Sequence, residues 1–311
     1  MRNLPPFRRS FFHQVFLARM SPTAPHSNCA FICLPHSEQV IAGLETCPQP
    51  LRTSLRGLCG AALSFNCPEK RNDLGDIVTP ALREMPMVLK ADADVRVLEL
   101  TGVGKAFCAG GDVEDMGSSP PDNQSIDDKI RALQHRQQTL TLRLHEMPKP
   151  TIAALPGAAA GAGMSIALAC DLRIGSEHAF FAPGFGAIGL SGDYGGSWQL
   201  TQLVWPAKAK EFYFTGRRVH ADEAWALGLL NEVLPETAFH ERMAELAVQI
   251  ANGPPLALRC IKQNINRATQ ADFKTCLDWE ADRLVRAAQT DDHKEAVQAI
   301  IEKRQPTFRG K

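Results

Sequence analysis

The sequence predicts an α/β protein, on three observations. Short apolar strands alternate with helical stretches between residues 60 and 205, and glycine-rich turns follow strand ends there. At 311 residues and 44% hydrophobic content, the chain is long enough to bury a large core.

Residues 1–47 read as an N-terminal extension. They hold Pro5, Pro6, Pro22, Pro25 and Pro35 and show neither helical nor strand periodicity. The acid-free start with Arg2, Arg8, Arg9 and Arg19 is open to two readings, a mitochondrial-type transit peptide or an unstructured extension, the second being favoured. Cytoplasmic location is expected on the second reading and mitochondrial on the first. His26, Cys29, Cys33 and His36 offer four ligands of the kind tetrahedral zinc takes, but no turn of fixed geometry separates them, so incidental residues are the preferred reading and no metal is expected. Cys108, Cys170, Cys260 and Cys276 are scattered, as suits reduced thiols rather than a disulfide framework.

Residues 48–206 form the expected α/β core. Strands are read at Ala61–Asn66, Val95–Thr101, Thr151–Leu155, Asp171–Ser176 and Ala179–Phe181, with helices at Leu74–Lys90, Ile126–Met147 and Gly163–Ala169. Residues 150–170 carry no charge, which is long enough for a membrane span, but Pro150, Pro156, Gly157, Gly161 and Gly163 break it; a buried strand, a glycine turn and a buried helix start fit better. Residues 207–311 are expected to be helical and to serve packing or oligomerisation. Gly216 and Gly228 stop two helices, a third runs from Thr237 to Asn252 on apolar Phe239, Met243, Leu246, Val248 and Ile250, and two more follow.

The 34 basic and 34 acidic residues cancel, which argues against electrostatic binding of nucleic acid. The cancellation joins unlike parts: residues 1–37 carry +4, and the remaining 30 basic and 34 acidic groups leave −4. Two phosphate-loop look-alikes fail on spacing. Thr101-Gly-Val-Gly-Lys105 is followed by Ala106 where Ser or Thr is needed, and Gly157, Gly161 and Gly163 do not make the dinucleotide fingerprint.

The glycine turns suit a different chemistry. Ala106-Phe-Cys-Ala-Gly-Gly-Asp112 follows a strand, and Gly157-Ala-Ala-Ala-Gly-Ala-Gly-Met-Ser165 leads from a strand into a helix. Small residues let a ligand approach the backbone, and a helix start presents unpaired N–H groups. Two such donors converging on one carbonyl oxygen make an oxyanion hole.

At this point the chain from about residue 60 resembles the enoyl-CoA hydratase/isomerase (crotonase) family. The matching stretches are Asn66-Cys-Pro-Glu-Lys-Arg-Asn72, Lys105–Asp112, Lys149-Pro-Thr-Ile-Ala-Ala-Leu-Pro-Gly157, Ala169-Cys-Asp171, Phe214-Thr-Gly216, Ala224-Trp-Ala-Leu-Gly-Leu-Leu-Asn231 and Glu302-Lys-Arg-Gln-Pro306. The resemblance implies a spiral of ββα turns with a C-terminal helical region, assembled as a homotrimer or a dimer of trimers. It implies an acyl-CoA thioester substrate, with coenzyme A as part of that substrate and no separate cofactor. The oxyanion donors fall at Gly111 and Ala162, beside Ala109. Glu69, Lys70 and Arg71 match the family's adenine and phosphate contact, and Lys303 matches a position that reaches a neighbouring subunit's CoA or else lies on a solvated helix face.

The resembling hydratases place one acid in the glycine-turn helix, where this chain has Ser165, and another near Phe185. Both acids are absent, which argues against two-glutamate hydration. One acid remains, Asp193 in Gly189-Leu-Ser-Gly-Asp-Tyr-Gly-Gly-Ser-Trp198, in a register similar to that of isomerase-type members with a single active-site Asp. A single carboxylate suits proton shuttling. An apolar setting raises its pKa and a following helix start lowers it, and the competing structural role for Asp193 is a helix cap. Phe185, Tyr194 and Trp198 are placed as substrate-binding residues of an aromatic-tolerant pocket, or else as core. The expected activity is enoyl-CoA isomerisation; the alternatives are a hydratase or acyl-CoA hydrolase using Asp193 and water, and, from another class, a catalytically silent acyl-CoA-binding or scaffold protein.

Overall fold

The structure, a computed structural model, describes residues 51–56, 60–75, 78–112 and 124–311. The extension, its transit-peptide reading and the His26/Cys29/Cys33/His36 pattern lie outside the described residues.

Strand β1 (Leu51–Arg56) pairs antiparallel with β2 (Gly60–Phe65), and helix α1 (Val78–Ala91) carries the chain to β3 (Val97–Gly102) and the short β4 (Ala106–Cys108). Helix α2 (Ile126–Gln137) runs through a π-helical turn at Gln138–Leu142 into α3 (Arg143–His145). The strand pair β5 (Thr151–Leu155) and β6 (Ala158–Ala160) precedes α4 (Ala162–Leu168), and the pair β7 (Leu172–Ser176) and β8 (Phe180–Ala182) precedes α5 (Gly196–Thr215). In each of these pairs the first strand joins a six-stranded sheet and the second joins a four-stranded one. The repeat is the expected ββα spiral.

The six-stranded sheet has the order β1-β2-β3-β5-β7-β10, and its strands from β2 onward are parallel. The smaller sheet has the order β4-β6-β8-β9. Alternation along each strand decides which face a residue serves. Leu98, Leu100, Ala153 and Leu155 point into the main core with Phe107, Ala159 and Phe181, while Val97, Ile152, Ala154 and Ile174 point to the other face. That second face is covered by α7 (Glu236–Ala251), whose Phe239, Met243, Ala247 and Ala251 recur every four residues as one buried stripe. Val248, expected among the apolar residues of this helix, faces outward, because it directly follows Ala247 and so lies about 100° round the helix from the stripe.

Residues 207–311 are not helical throughout. Strand β9 (Val219–His220) completes the smaller sheet and β10 (Glu232–Leu234) the larger, on either side of α6 (Ala221–Ala226). Helix α5 crosses residue 206 and kinks there, where Trp205 adopts a positive φ ahead of Pro206. Beyond α7 come three helices rather than two, α8 (Pro255–Ala268), α9 (Phe273–Ala288) and α10 (Asp291–Glu302). The division between the last two falls at Thr290, whose hydroxyl accepts the His293 N–H at 3.1 Å and caps α10. No helix among the described residues is long and apolar enough to cross a membrane.

One buried ion pair fastens α8 to the core. Lys262 Nζ lies 2.8 Å from Asp171 Oδ2 and donates to the carbonyls of Leu144 and Lys149 at 3.3 Å. The same Asp171 oxygen accepts the Thr151 backbone N–H at 2.8 Å, so sheet, α3 and α8 meet at one carboxylate. Removing one partner of such a pair leaves an uncompensated charge away from water. Lys262→Met is expected to lower the urea-unfolding free energy by about 3 kcal/mol; a change within about 0.5 kcal/mol, the range of ordinary surface substitutions, would contradict this role.

Candidate active site

The two glycine turns pack against each other. Gly110 has φ 90°, and a Cβ there would stand 2.7 Å from Ala160 O and 3.3 Å from Ala162 N, so only glycine permits this approach. Ala162 is the first residue of α4, and its N–H has no intrahelical acceptor. Gly111 follows Gly110 on the facing loop. That loop is held from outside by Leu74 N–H donating to Gly110 O at 2.7 Å and Ala109 N–H donating to Arg71 O at 3.0 Å. Asn72 fixes the preceding corner, donating through Nδ2 to the carbonyls of Val103 and Ala106 while its Oδ1 accepts the Cys67 N–H.

Gly111, Ala162, Ala109, Phe185, Asp193 and Tyr194 line one cavity of about 450 Å³, a volume suited to a small ligand. Asp193 faces it from the turn that precedes α5. Its backbone carbonyl accepts the Ser165 hydroxyl at 3.0 Å and the Gly196 N–H at 3.1 Å, which anchors the turn to α4. Its side chain is not a helix cap: the residue at the cap position is Gly195, and no side chain bonds the first turn. Oδ1 is sequestered from solvent and has no hydrogen-bond partner among the described residues. Burial lifts the carboxyl from its ordinary 3.8 to about 6. Of the two opposed effects expected on this group, desolvation prevails over the helix start.

Ser165 is fully buried, and its hydroxyl serves the Asp193 backbone. Asp112 pairs with Lys70 at 2.8 Å and ties the loop after β4 to the exposed turn Pro68–Lys70. Glu69, Lys70 and Arg71 lie on that turn and its end, outside the cavity but joined to its rim through the Arg71 carbonyl. Lys303 ends α10 in a left-handed conformation, exposed.

Trp198, expected beside Phe185 and Tyr194, does not line this cavity. It lines a separate, smaller cavity of about 250 Å³ with His145 and Thr141, its ring 5.5 Å from that of His145. The left-handed Gly195 reverses the chain, so that the first turn of α5 puts Trp198 behind Tyr194 rather than beside it. Tyr194 is the wall the two cavities share.

Sequence reasoning missed Tyr213 on α5. Its ring stacks on Phe185 at 6.1 Å, and its buried hydroxyl has no partner among the described residues. Burial, and then the charge of Asp193, push that hydroxyl up to about 12. The chain has two tyrosines, and both stand beside Asp193, a compositional signal that was available.

Among proteins of known kind, the chain matches the family model described as enoyl-CoA hydratase/isomerase over residues 60–311. It is 34% identical over 249 residues to a 1,2-epoxyphenylacetyl-CoA isomerase of Escherichia coli K12, covering 80% of this chain and 94% of that protein. It is 35% identical over 248 residues to a short-chain-enoyl-CoA hydratase of Clostridium acetobutylicum, covering 78% and 92%. A crystal structure of an enoyl-CoA hydratase from Bacillus anthracis superposes with a TM-score of 0.79 at 30% identity, covering 85% of this chain and all of that one.

The sign of the pH effect on stability follows from the raised carboxyl. Between about pH 4 and pH 6 the folded protein holds more protons at Asp193 than the unfolded chain, so stability falls as pH rises through that window. Asp193→Asn is therefore expected to be more stable than wild type by about 2–3 kcal/mol at about pH 7, with the difference closing at about pH 4, as urea titrations at the two pH values would show. Equal stability at both would contradict the burial of an unpaired carboxylate.

Proposed function

This chain belongs to the enoyl-CoA hydratase/isomerase family, and from that premise we propose that it is an enoyl-CoA isomerase in which Asp193 moves the proton. The observation that carries the proposal is the single buried, unpartnered carboxyl on the wall of the cavity that Gly111 and Ala162 also line. Ser165 and Phe185 occupy the places where the resembling hydratases carry acids, and among the described residues lining the cavity there is no second carboxylate to hold a water between two oxygens.

The chemistry is written for a 3-enoyl-CoA. The thioester oxygen accepts the N–H groups of Gly111 and Ala162, which stabilise the charge that develops there. The Asp193 carboxylate removes a proton from C2, and the electron pair delocalises from C2 to C4 as a dienolate whose charge rests on that oxygen. The Asp193 carboxylic acid returns the proton at C4, and the double bond comes to lie between C2 and C3. No atom is gained or lost, and coenzyme A takes part only as the thioester. A pKa of about 6 leaves the group ionised at neutral pH yet ready to give its proton back. Loss of one general acid–base group costs roughly 10²–10⁴-fold in rate.

The exposed turn Glu69–Arg71 is proposed to meet the adenine and phosphates of CoA. Phe273, Leu277, Leu284, Ile300 and Ile301 expose an apolar face on α9 and α10, which supports assembly into a homotrimer or a dimer of trimers.

Matched assays of wild type and Asp193→Asn on 3-enoyl-CoA and 2-enoyl-CoA test the reaction. Double-bond migration by wild type with a loss of roughly 10³-fold or more in the variant is the expected result. Migration that survives Asp193→Asn, or wild type that only adds water to the 2-enoyl ester, overturns it.

A further inference from the structure

The cavity that holds Asp193 is also lined by two arginines, Arg83 on α1 and Arg136 on α2, and Asp193 is the one acid among the described residues on that lining. The guanidinium groups are not its counter-ions: burial alone accounts for the state of the Asp193 carboxyl. Neither arginine makes an ion pair with another described residue. Two cations on the wall of a ligand cavity, with no acid among the described residues paired to them, are complementary to an anionic group that arrives with the ligand.

Their position says which part of the ligand that is. Leu74, shortly before α1, touches the loop after β4, its N–H donating to Gly110 O. Thr79 and Arg83, one turn apart, then line the cavity from the same helix face. Arg83 ends against the π-helical turn, its Nε donating to Thr139 Oγ1 at 2.6 Å, while its backbone carbonyl accepts from Arg143 at 3.1 Å. Arg136 stands three residues before Thr139, with Leu133 a turn earlier on the same wall. Arg136 directly precedes Gln137 and Gln138, which line the second cavity together with Tyr194, and Arg83 ends on Thr139 of the same segment, so both arginines stand toward the Tyr194 wall and away from the exposed Glu69–Arg71 turn. With the Arg83 Nε–H committed to Thr139, its Nη donors remain for a planar anion.

We propose that Arg83 and Arg136 form an anion subsite for a carboxylate at the far end of the acyl chain, so that the preferred substrates are CoA thioesters of dicarboxylic acids. The inference rests on the acyl-CoA reading of the site, and it deepens that reading by naming the acyl class. Guanidinium and carboxylate match in planar, two-point geometry, which gives a methyl-ended chain no equivalent contact and leaves it to desolvate the cations without recompense.

Binding separates this inference from the assignment of the reaction, because it needs no turnover. Affinities of the full-length protein for adipyl-CoA and hexanoyl-CoA, saturated esters of equal chain length ending in carboxylate and methyl, are measured by calorimetry in wild type, Arg83→Gln and Arg136→Gln. Wild type is expected to bind adipyl-CoA at least tenfold more tightly than hexanoyl-CoA, and each variant to bring that ratio toward one. Arg136 is exposed on α2, so its replacement keeps the test open if Arg83→Gln does not fold. A wild-type ratio near one overturns the proposal. So does a variant that weakens both esters equally, because the arginines would then serve the CoA phosphates common to the two.

Discussion

A carboxyl group taken out of water with no counter-ion holds its proton two pH units longer than usual, and the site is arranged around keeping Asp193 in that condition. Its backbone, not its side chain, is tied down: Ser165 Oγ–H and the Gly196 N–H both donate to the Asp193 carbonyl. The side chain is left to the cavity. A salt bridge there would have spent the carboxylate on structure, as happens at Asp112 with Lys70 and at Asp171 with Lys262. Asp112 and Asp171 serve the scaffold through their cations, whereas Asp193 faces the cavity without one among the described residues.

The fold delivers that acid to a pair of backbone donors by means of very short strands. Because the second strand of each ββα turn belongs to the smaller sheet, β4 and β6 run side by side in parallel, with Ala106 opposite Ala158 and Cys108 opposite Ala159. The loops that leave them, at Gly110–Gly111 and Gly161–Ala162, are therefore neighbours in space although fifty residues apart in sequence. Close approach of the two turns excludes side chains at Gly110, and the start of α4 supplies the N–H of Ala162. Tyr194, Phe185 and Tyr213 then close the apolar wall that desolvates Asp193.

Much of this was legible in the sequence, for reasons that can be located. Thr151–Leu155 is a wholly buried strand and its bounds emerge unchanged, because five apolar or small residues between Pro150 and Pro156 leave little choice. The two facing turns carry compositional signatures, glycines and alanines at strand ends. Strands of two or three residues, such as β4, β6, β9 and β10, are too short to show a period of two, and only pairing across the chain reveals them. Trp198 is close to Asp193 in sequence yet lines the other cavity, because the left-handed turn at Gly195 lies between them. Arg83, Arg136 and Tyr213 come from three helices that approach Asp193 from distant parts of the chain, and no local pattern marks them.

Exchange of the α-protons of a saturated acyl-CoA with heavy water, followed as a function of pH, tests the central claim most directly. It isolates proton removal by the carboxylate from any later step. The account predicts an exchange rate that rises through an apparent pKa of about 6 and levels off above it, as the Asp193 carboxylate forms. A rate independent of pH across that range, or a rise centred in the ordinary carboxylate range near 4, would show that an unpaired, buried Asp193 is not the base.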